Sequence, residues 1–148
     1  MNNNTYRNLG LLTTNAADLR TKTRSLKNII THLNSSIFSV QETNFRKKGR
    51  FTHDNFMIFE AIRKKEGAGS LLGVHMSLQH VLISEYSDTF ELIVVEIKVT
   101  ARSVRVMTGY GHQETWDMDL KMKFFLCFRR RNCKSSIRRK IYIINGRS

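Results

Sequence analysis

Asn15 closes the segment Thr13-Thr14-Asn15, and about one helix further on Glu42 sits inside Val40-Gln41-Glu42-Thr43. An amide and a carboxylate facing one crevice are a metal-and-phosphate kind of site. Mg²⁺ suits such donors, because it prefers hard oxygens, keeps several waters and needs only one or two carboxylates. A lone glutamate is as readily a solvated side chain, so the case rests on the elements that position both residues.

Those elements are legible as periodicities. Leu9-Gly10-Leu11-Leu12 runs as a buried strand into Asn15, and Ile37-Phe38-Ser39-Val40 runs as another into Glu42. Between them, Asp18 to Asn34 carries Leu19, Leu26, Ile29, Ile30 and Leu33 at helical spacing. Strand, helix and strand within this span predict a βαβ unit. In open α/β sheets chemistry gathers beyond the carboxyl ends of the strands, where Asn15 and Glu42 fall. Downstream, strands are expected at Phe56–Phe59, Ser70–Met76, Val81–Ile83 and Glu91–Ile97, with a polar turn over Ser84–Thr89. Ser103–Tyr110 alternates as a half-exposed strand, and Thr115–Phe128 reads as a helix with Thr115 as N-cap and Asp117 and Asp119 in its first turn. This order predicts an α/β sandwich, or part of one.

The chain has 148 residues, room for one domain, and a formal net charge of +13, which favours a polyanionic partner. Residues 125–148 hold eight basic residues and no acidic ones, so the body before them is only mildly basic. Two basic loops, Arg46-Lys47-Lys48-Gly49-Arg50 and Arg63-Lys64-Lys65, read either as solvated turns or as phosphate-contacting loops. No apolar run approaches the roughly 18 residues of a membrane span, and MNNNTYRN lacks the apolar stretch of a secretory signal. Cys127 and Cys133 make neither a disulfide framework nor a zinc site, so an intracellular, reducing location is expected, with nuclear entry a compositional guess.

Four ordered segments, TTNAADLR, SVQETNFRKKGRF, GAGSLLGVHMSL and VRVMTGYGHQETWD, resemble the endonuclease/exonuclease/phosphatase superfamily, and within it the endonuclease domain of non-LTR retrotransposons. The resemblance covers roughly Leu9 to Phe124. It implies a four-layer α/β sandwich, with two packed mixed β-sheets flanked by helices, and Mg²⁺- or Mn²⁺-dependent phosphodiester cleavage of DNA. Glu42 would hold the metal, Asn15 would orient groups around it, and Tyr110 would contact the scissile phosphate. Arg46, Lys47, Lys48, Arg50, Arg63, Lys64 and Lys65 would contact nucleic acid.

The sequence also departs from that family. A site of this kind needs a second group to orient or deprotonate water, which the family supplies with a later Asp-x-Asn and an Asp-His pair. This chain has no acidic residue after Asp119 and no histidine after His112, and Ala17 stands where the family often has an acidic or amide residue. The expectation is a partial domain over residues 9–124, lacking the C-terminal half and cleaving weakly or not at all, between an N-terminal tail (1–8) and a basic tail (125–148). A one-nucleotide shift near Phe125 makes the tail's codons compatible with Phe-Phe-Ala-Leu-Glu-Glu-Glu-Ile-Ala-Lys-Ala. That would continue the preceding helix, so a frameshifted tail is expected. Two rivals stay open: a non-catalytic nucleic-acid-binding module using Arg129–Arg131 and Arg138–Lys140, and a small-substrate phosphatase on the same fold.

Overall fold

The computed structural model describes residues 9–64, 67–87, 91–99, 102–110 and the strand at 141–145. One four-stranded sheet holds β1 (Leu11–Asn15), β2 (Ile37–Gln41), β3 (Phe56–Ala61) and β4 (Ser70–His75), in the order β1-β2-β4-β3. The other holds β5 (His80–Ser87), β6 (Glu91–Val99), β7 (Arg102–Tyr110) and β8 (Ile141–Asn145) in sequence order. The pairs β1·β2 and β7·β8 are parallel, and the remaining pairs are antiparallel.

The expected βαβ unit forms, with a shorter helix than the apolar spacing suggests. Ala17 and Asp18 both take positive φ (50° and 130°), which breaks the chain's helical course. Asp18 then caps a single 3-10 turn, Leu19–Thr21, by accepting from the Arg20 N–H at 3.0 Å. The helix proper, α1, runs Thr23–His32, and Asn34 at φ 49° follows its end. Leu19, Leu26 and Ile30 are buried, whereas Ile29 and Leu33 are 47% and 56% exposed, so the apolar stripe is narrower than expected.

Every residue of β2 is buried, because α1 covers one face of its sheet and the second sheet covers the other. Alternation assigns Phe38 and Val40 to the helix side, with Leu26 and Ile30. Ile37 points the other way and joins Leu72, Val74, Ile93, Val95, Ile97 and Val106 between the sheets. Gly73 lies opposite Phe38 in the β2·β4 register, and a Cβ there would stand 2.2 Å from the Phe38 ring. That ring is packed edge-on against Phe51 and Phe56, with centroids 5.9 and 5.0 Å away, so it has nowhere to retreat. Gly73→Ala is therefore expected to destabilise by about 1–3 kcal/mol through overpacking. A lower urea midpoint at unchanged slope would show it; an unshifted midpoint would mean the ring adapts.

Two expectations need correction. Ser84–Ser87, read as part of a turn, belong to β5, an edge strand whose pairing shifts between Leu82 and Ser84 and whose polar residues are half-buried. Val81, at 55% exposed, with Leu82 and Ile83, leaves an apolar rim on that edge. β7 is not half-exposed: Arg105 through Tyr110 are all buried, because the strand lies inside its sheet between β6 and β8. Its buried Arg105 is satisfied internally, with Nε donating to Glu96 at 3.0 Å. Residues 141–145, within the expected basic tail, form β8, paired in parallel with β7. The expected helix at Thr115–Phe128 lies outside the described residues, as does the rest of the tail. Among the described residues no helix is long and apolar enough to cross a membrane.

Candidate active site

Asn15 and Glu42 leave the same edge of one sheet. The parallel register sets Asn15 beside Gln41, and the Ala16 N–H donates to the Gln41 carbonyl at 2.9 Å. The Asn15 amide oxygen accepts from the Ala17 N–H at 2.9 Å, a local turn that fixes the carboxamide. Glu42 has φ 54°, so the backbone kinks out of the sheet at the residue that carries the carboxylate. Strain of this kind in a non-glycine residue costs about 1–3 kcal/mol and persists where its surroundings hold it.

Tyr110 comes from the other sheet, at the carboxyl end of β7, and its hydroxyl donates to Glu42 Oε1 at 2.6 Å. Two residues 68 positions apart in sequence thus meet across the sheet-to-sheet seam. Burial, and then the Glu42 carboxylate, push the Tyr110 phenol well above its ordinary range. It therefore stays protonated at neutral pH and can act as a hydrogen-bond donor, not as a base. Beneath this contact the seam turns polar. Ser39, Gln41 and Thr108 are all buried, with Gln41 Nε2 donating to Ser39 Oγ (2.6 Å) and Thr108 Oγ1 (2.9 Å), and the two hydroxyls 2.7 Å apart.

The neighbouring support corrects the reading of Arg63. Its side chain is 10% exposed, and its Nη2 donates at 3.1 Å to Glu91, a carboxylate with no exposure at all. Glu91 faces Tyr110 in the β6·β7 register and also accepts from the Gly69 N–H at 2.8 Å. Gly69 has φ 102°, and a Cβ there would lie 2.2 Å from Thr43 Oγ1, so only glycine fits. Arg63 is thus a buried counter-ion and not a surface phosphate contact: a desolvated carboxylate requires a cation beside it. Glu91 was not singled out from sequence. Its signal was a carboxylate heading an otherwise apolar strand.

The other basic residues sort differently. Arg46, Lys47, Lys48, Arg50 and Lys64 are exposed, and Lys65 lies outside the described residues. Lys48 pairs with Glu85, and the Gly49 N–H donates to Glu60 Oε2 at 2.7 Å, which ties the first basic loop down. Burial pushes the Glu60 carboxyl above its ordinary value. Its protonated form is thus the better-tolerated one, and its contribution to stability declines as pH climbs from the ordinary carboxyl range through the raised value. Glu60→Gln, which keeps an acceptor for Gly49, is expected to be more stable than the parent at pH 8. The gap should close toward pH 4, as read from urea midpoints at both pH values; a gap independent of pH would refute this account.

Comparison with protein-family models finds no match, and comparison with curated proteins finds none either. Solved structures do match. The D. rerio TDP2 complex with single-strand DNA product superposes with a TM-score of 0.62 at 10% identity, over 93% of this chain and 59% of that one. The endonuclease domain of TRAS1, a telomere-specific non-LTR retrotransposon, gives 0.60 at 14% identity, over 90% and 58%. An endonuclease/exonuclease/phosphatase family protein from Leptotrichia buccalis gives 0.59 at 11% identity, over 93% and 66%. The chain has the endonuclease/exonuclease/phosphatase fold. It spans about three fifths of the length of the first two of these structures.

Within the endonuclease/exonuclease/phosphatase fold, Asn15, Glu42 and Tyr110 stand at the carboxyl ends of β1, β2 and β7. Among the described residues no three His, Cys, Asp or Glu side chains cluster as a metal cage. A half-buried carboxylate with one oxygen engaged by Tyr110 does not suit a closed zinc site, which takes nitrogen and sulfur ligands. It fits Mg²⁺ or Mn²⁺ held through one carboxylate and waters.

Proposed function

We propose that this chain belongs to a DNA-cleaving phosphodiesterase of the retroelement endonuclease type, with its site at Glu42, Tyr110 and Asn15. The observation that carries the reading is the 2.6 Å contact between Tyr110 and Glu42 at the seam of the two sheets. The DNA product bound in the TDP2 structure and the retrotransposon origin of the TRAS1 domain support DNA as substrate. Glu42 would hold a Mg²⁺ or Mn²⁺ ion, which supplies Lewis-acid stabilisation of phosphoryl charge. Tyr110, kept protonated, would turn its one hydroxyl proton from Glu42 to a phosphoryl oxygen when substrate binds, so that proton would stabilise charge without being transferred. The Asn15 carboxamide, fixed by its own turn, orients groups around the carboxylate. With one carboxylate in the described site, cleavage is expected to be slow.

The test is Mg²⁺-dependent nicking of supercoiled DNA by the full chain. Tyr110→Phe should lower it about 100-fold, the usual cost of one oriented donor. Turnover of phosphate monoesters without nicking would move the reading to a phosphatase. Neither activity under Mg²⁺ or Mn²⁺ would sink it.

A further inference from the structure

Glu42 and Asn44 take positive φ, 54° and 58°, so the backbone that carries the candidate metal ligand is left-handed on both sides of Thr43. Non-glycine residues stay in that region only where their surroundings over-determine them. The surroundings here are the three residues that lead into β4. The Thr43 N–H donates to the Gly69 carbonyl at 3.1 Å, and the Asn44 N–H donates to the Ala68 carbonyl at 2.9 Å. The Gly67 N–H donates in return to Asn44 Oδ1 at 2.8 Å. Three hydrogen bonds thus fasten residues 43–44 to residues 67–69.

That lead-in is itself conformationally free, since Gly67 and Gly69 both take positive φ that glycine reaches without cost. Its anchor is Glu91, from the other sheet. Glu91 divides its two oxygens: Oε1 accepts from the Gly69 N–H at 2.8 Å, and Oε2 accepts from Arg63 Nη2 at 3.1 Å. Its own backbone is paired beside Tyr110. One buried carboxylate therefore reaches both halves of the site, through its main chain to Tyr110 and through its side chain toward Glu42. A buried ion pair is a poor source of stability, because apolar residues of similar volume often serve as well. What an apolar residue lacks is an oxygen for the Gly69 N–H.

We propose that Glu91 is a positioning residue of the candidate active site: its carboxylate pins Gly69, and Gly69 with Ala68 holds the left-handed turn that aims Glu42 at the metal. The proposal rests on the reading of Glu42 as the metal ligand. Arg63 enters it as the counter-ion that keeps Glu91 charged and in place. Outer groups that orient a metal ligand in this way typically change metal affinity about 10- to 100-fold when removed.

Amide hydrogen exchange of the full chain, followed residue by residue, reads the hold directly, with the Ser39 and Val40 amides of β2 as internal reference. Two double variants are compared, both neutral at the pair. R63L/E91L leaves no oxygen for the Gly69 N–H, whereas R63Q/E91Q leaves an amide oxygen there. Relative to β2, the Thr43 and Asn44 amides are expected to exchange at least about 10-fold faster in R63L/E91L and at the parent rate in R63Q/E91Q. Mn²⁺ affinity, read by electron paramagnetic resonance, should fall about 10-fold or more in the first and hold in the second. Parental exchange in R63L/E91L overturns the proposal. Equal loss in both doubles also overturns it, because charge or packing would then be the cause. Lost protection in R63L/E91L with Mn²⁺ affinity equal to the parent's overturns it as well. If R63L/E91L melts below the assay temperature, E91D decides: it keeps the charge beside Arg63 but draws the oxygen back by one methylene. Faster Thr43 exchange in E91D supports the hold, and parental exchange overturns it. A parent that binds no Mn²⁺ while exchange responds as expected refutes the metal reading alone. A parent whose Mn²⁺ binding needs Glu42 but whose Thr43 exchange ignores Glu91 refutes the positioning alone.

Discussion

Arg63→Leu is expected to cost about 3–5 kcal/mol of folding stability, the usual consequence of leaving a buried charge without its partner. The carboxylate left behind is Glu91, which has no solvent exposure and whose other partner in the same network is the Gly69 N–H. A domain of this size has only about 5–15 kcal/mol in total, so the variant should be partly unfolded at room temperature. The double variant Arg63→Leu with Glu91→Leu should recover much of the loss, since an apolar pair needs no desolvation of charge. Thermal and urea melts of the two single variants and the double form a cycle that isolates the pair. If Arg63→Leu melts like the parent, the ion pair is not the buried unit described here. The outcome also separates two roles for one arginine: a surface phosphate contact would alter salt-dependent DNA binding and leave the melt alone.

Glu42→Gln should have the largest effect on function. The amide keeps an oxygen for the Tyr110 hydroxyl, so the contact across the seam and the melting temperature should both survive. What disappears is the anionic ligand. Losing a residue that merely supports a metal ligand already costs about 10–100-fold in affinity, so losing the ligand should reach at least the upper end of that range. Nicking should fall about 1000-fold, since metal stabilisation of phosphoryl charge is worth several kcal/mol and each tenfold is about 1.4. Mn²⁺ titration followed by electron paramagnetic resonance checks the first effect even if nicking is slow. Unchanged Mn²⁺ affinity would remove Glu42 from the metal role.

Sequence reasoning reached the elements whose signals are local. Leu11–Asn15, α1 and Ile37–Gln41 follow from apolar spacing, and the exits at Asn15 and Glu42 follow from where those runs stop. The Tyr110–Glu42 contact was not local: it needs two sheets to pack face to face, and only the resemblance placed Tyr110 in the site. Arg63 misled because a cation in an Arg-Lys-Lys run looks solvated, while its partner lies 28 residues away on β6. Ser84–Ser87 misled because a half-buried edge strand carries the same polar residues as a turn.

The polar triangle of Ser39, Gln41 and Thr108 has a consequence for precision. Glu42 and Tyr110 belong to different sheets, and the aliphatic layer between those sheets would tolerate a small slide with little change in energy, since burial is non-directional. Hydrogen bonds do not tolerate it, and a buried donor left unmade is costly. Gln41 is the neighbour of Glu42, and Thr108 lies two residues before Tyr110, so the triangle sits directly under the contact. It works as a dowel between two greased plates: it need add little to the strength of the joint, yet it decides whether the holes line up.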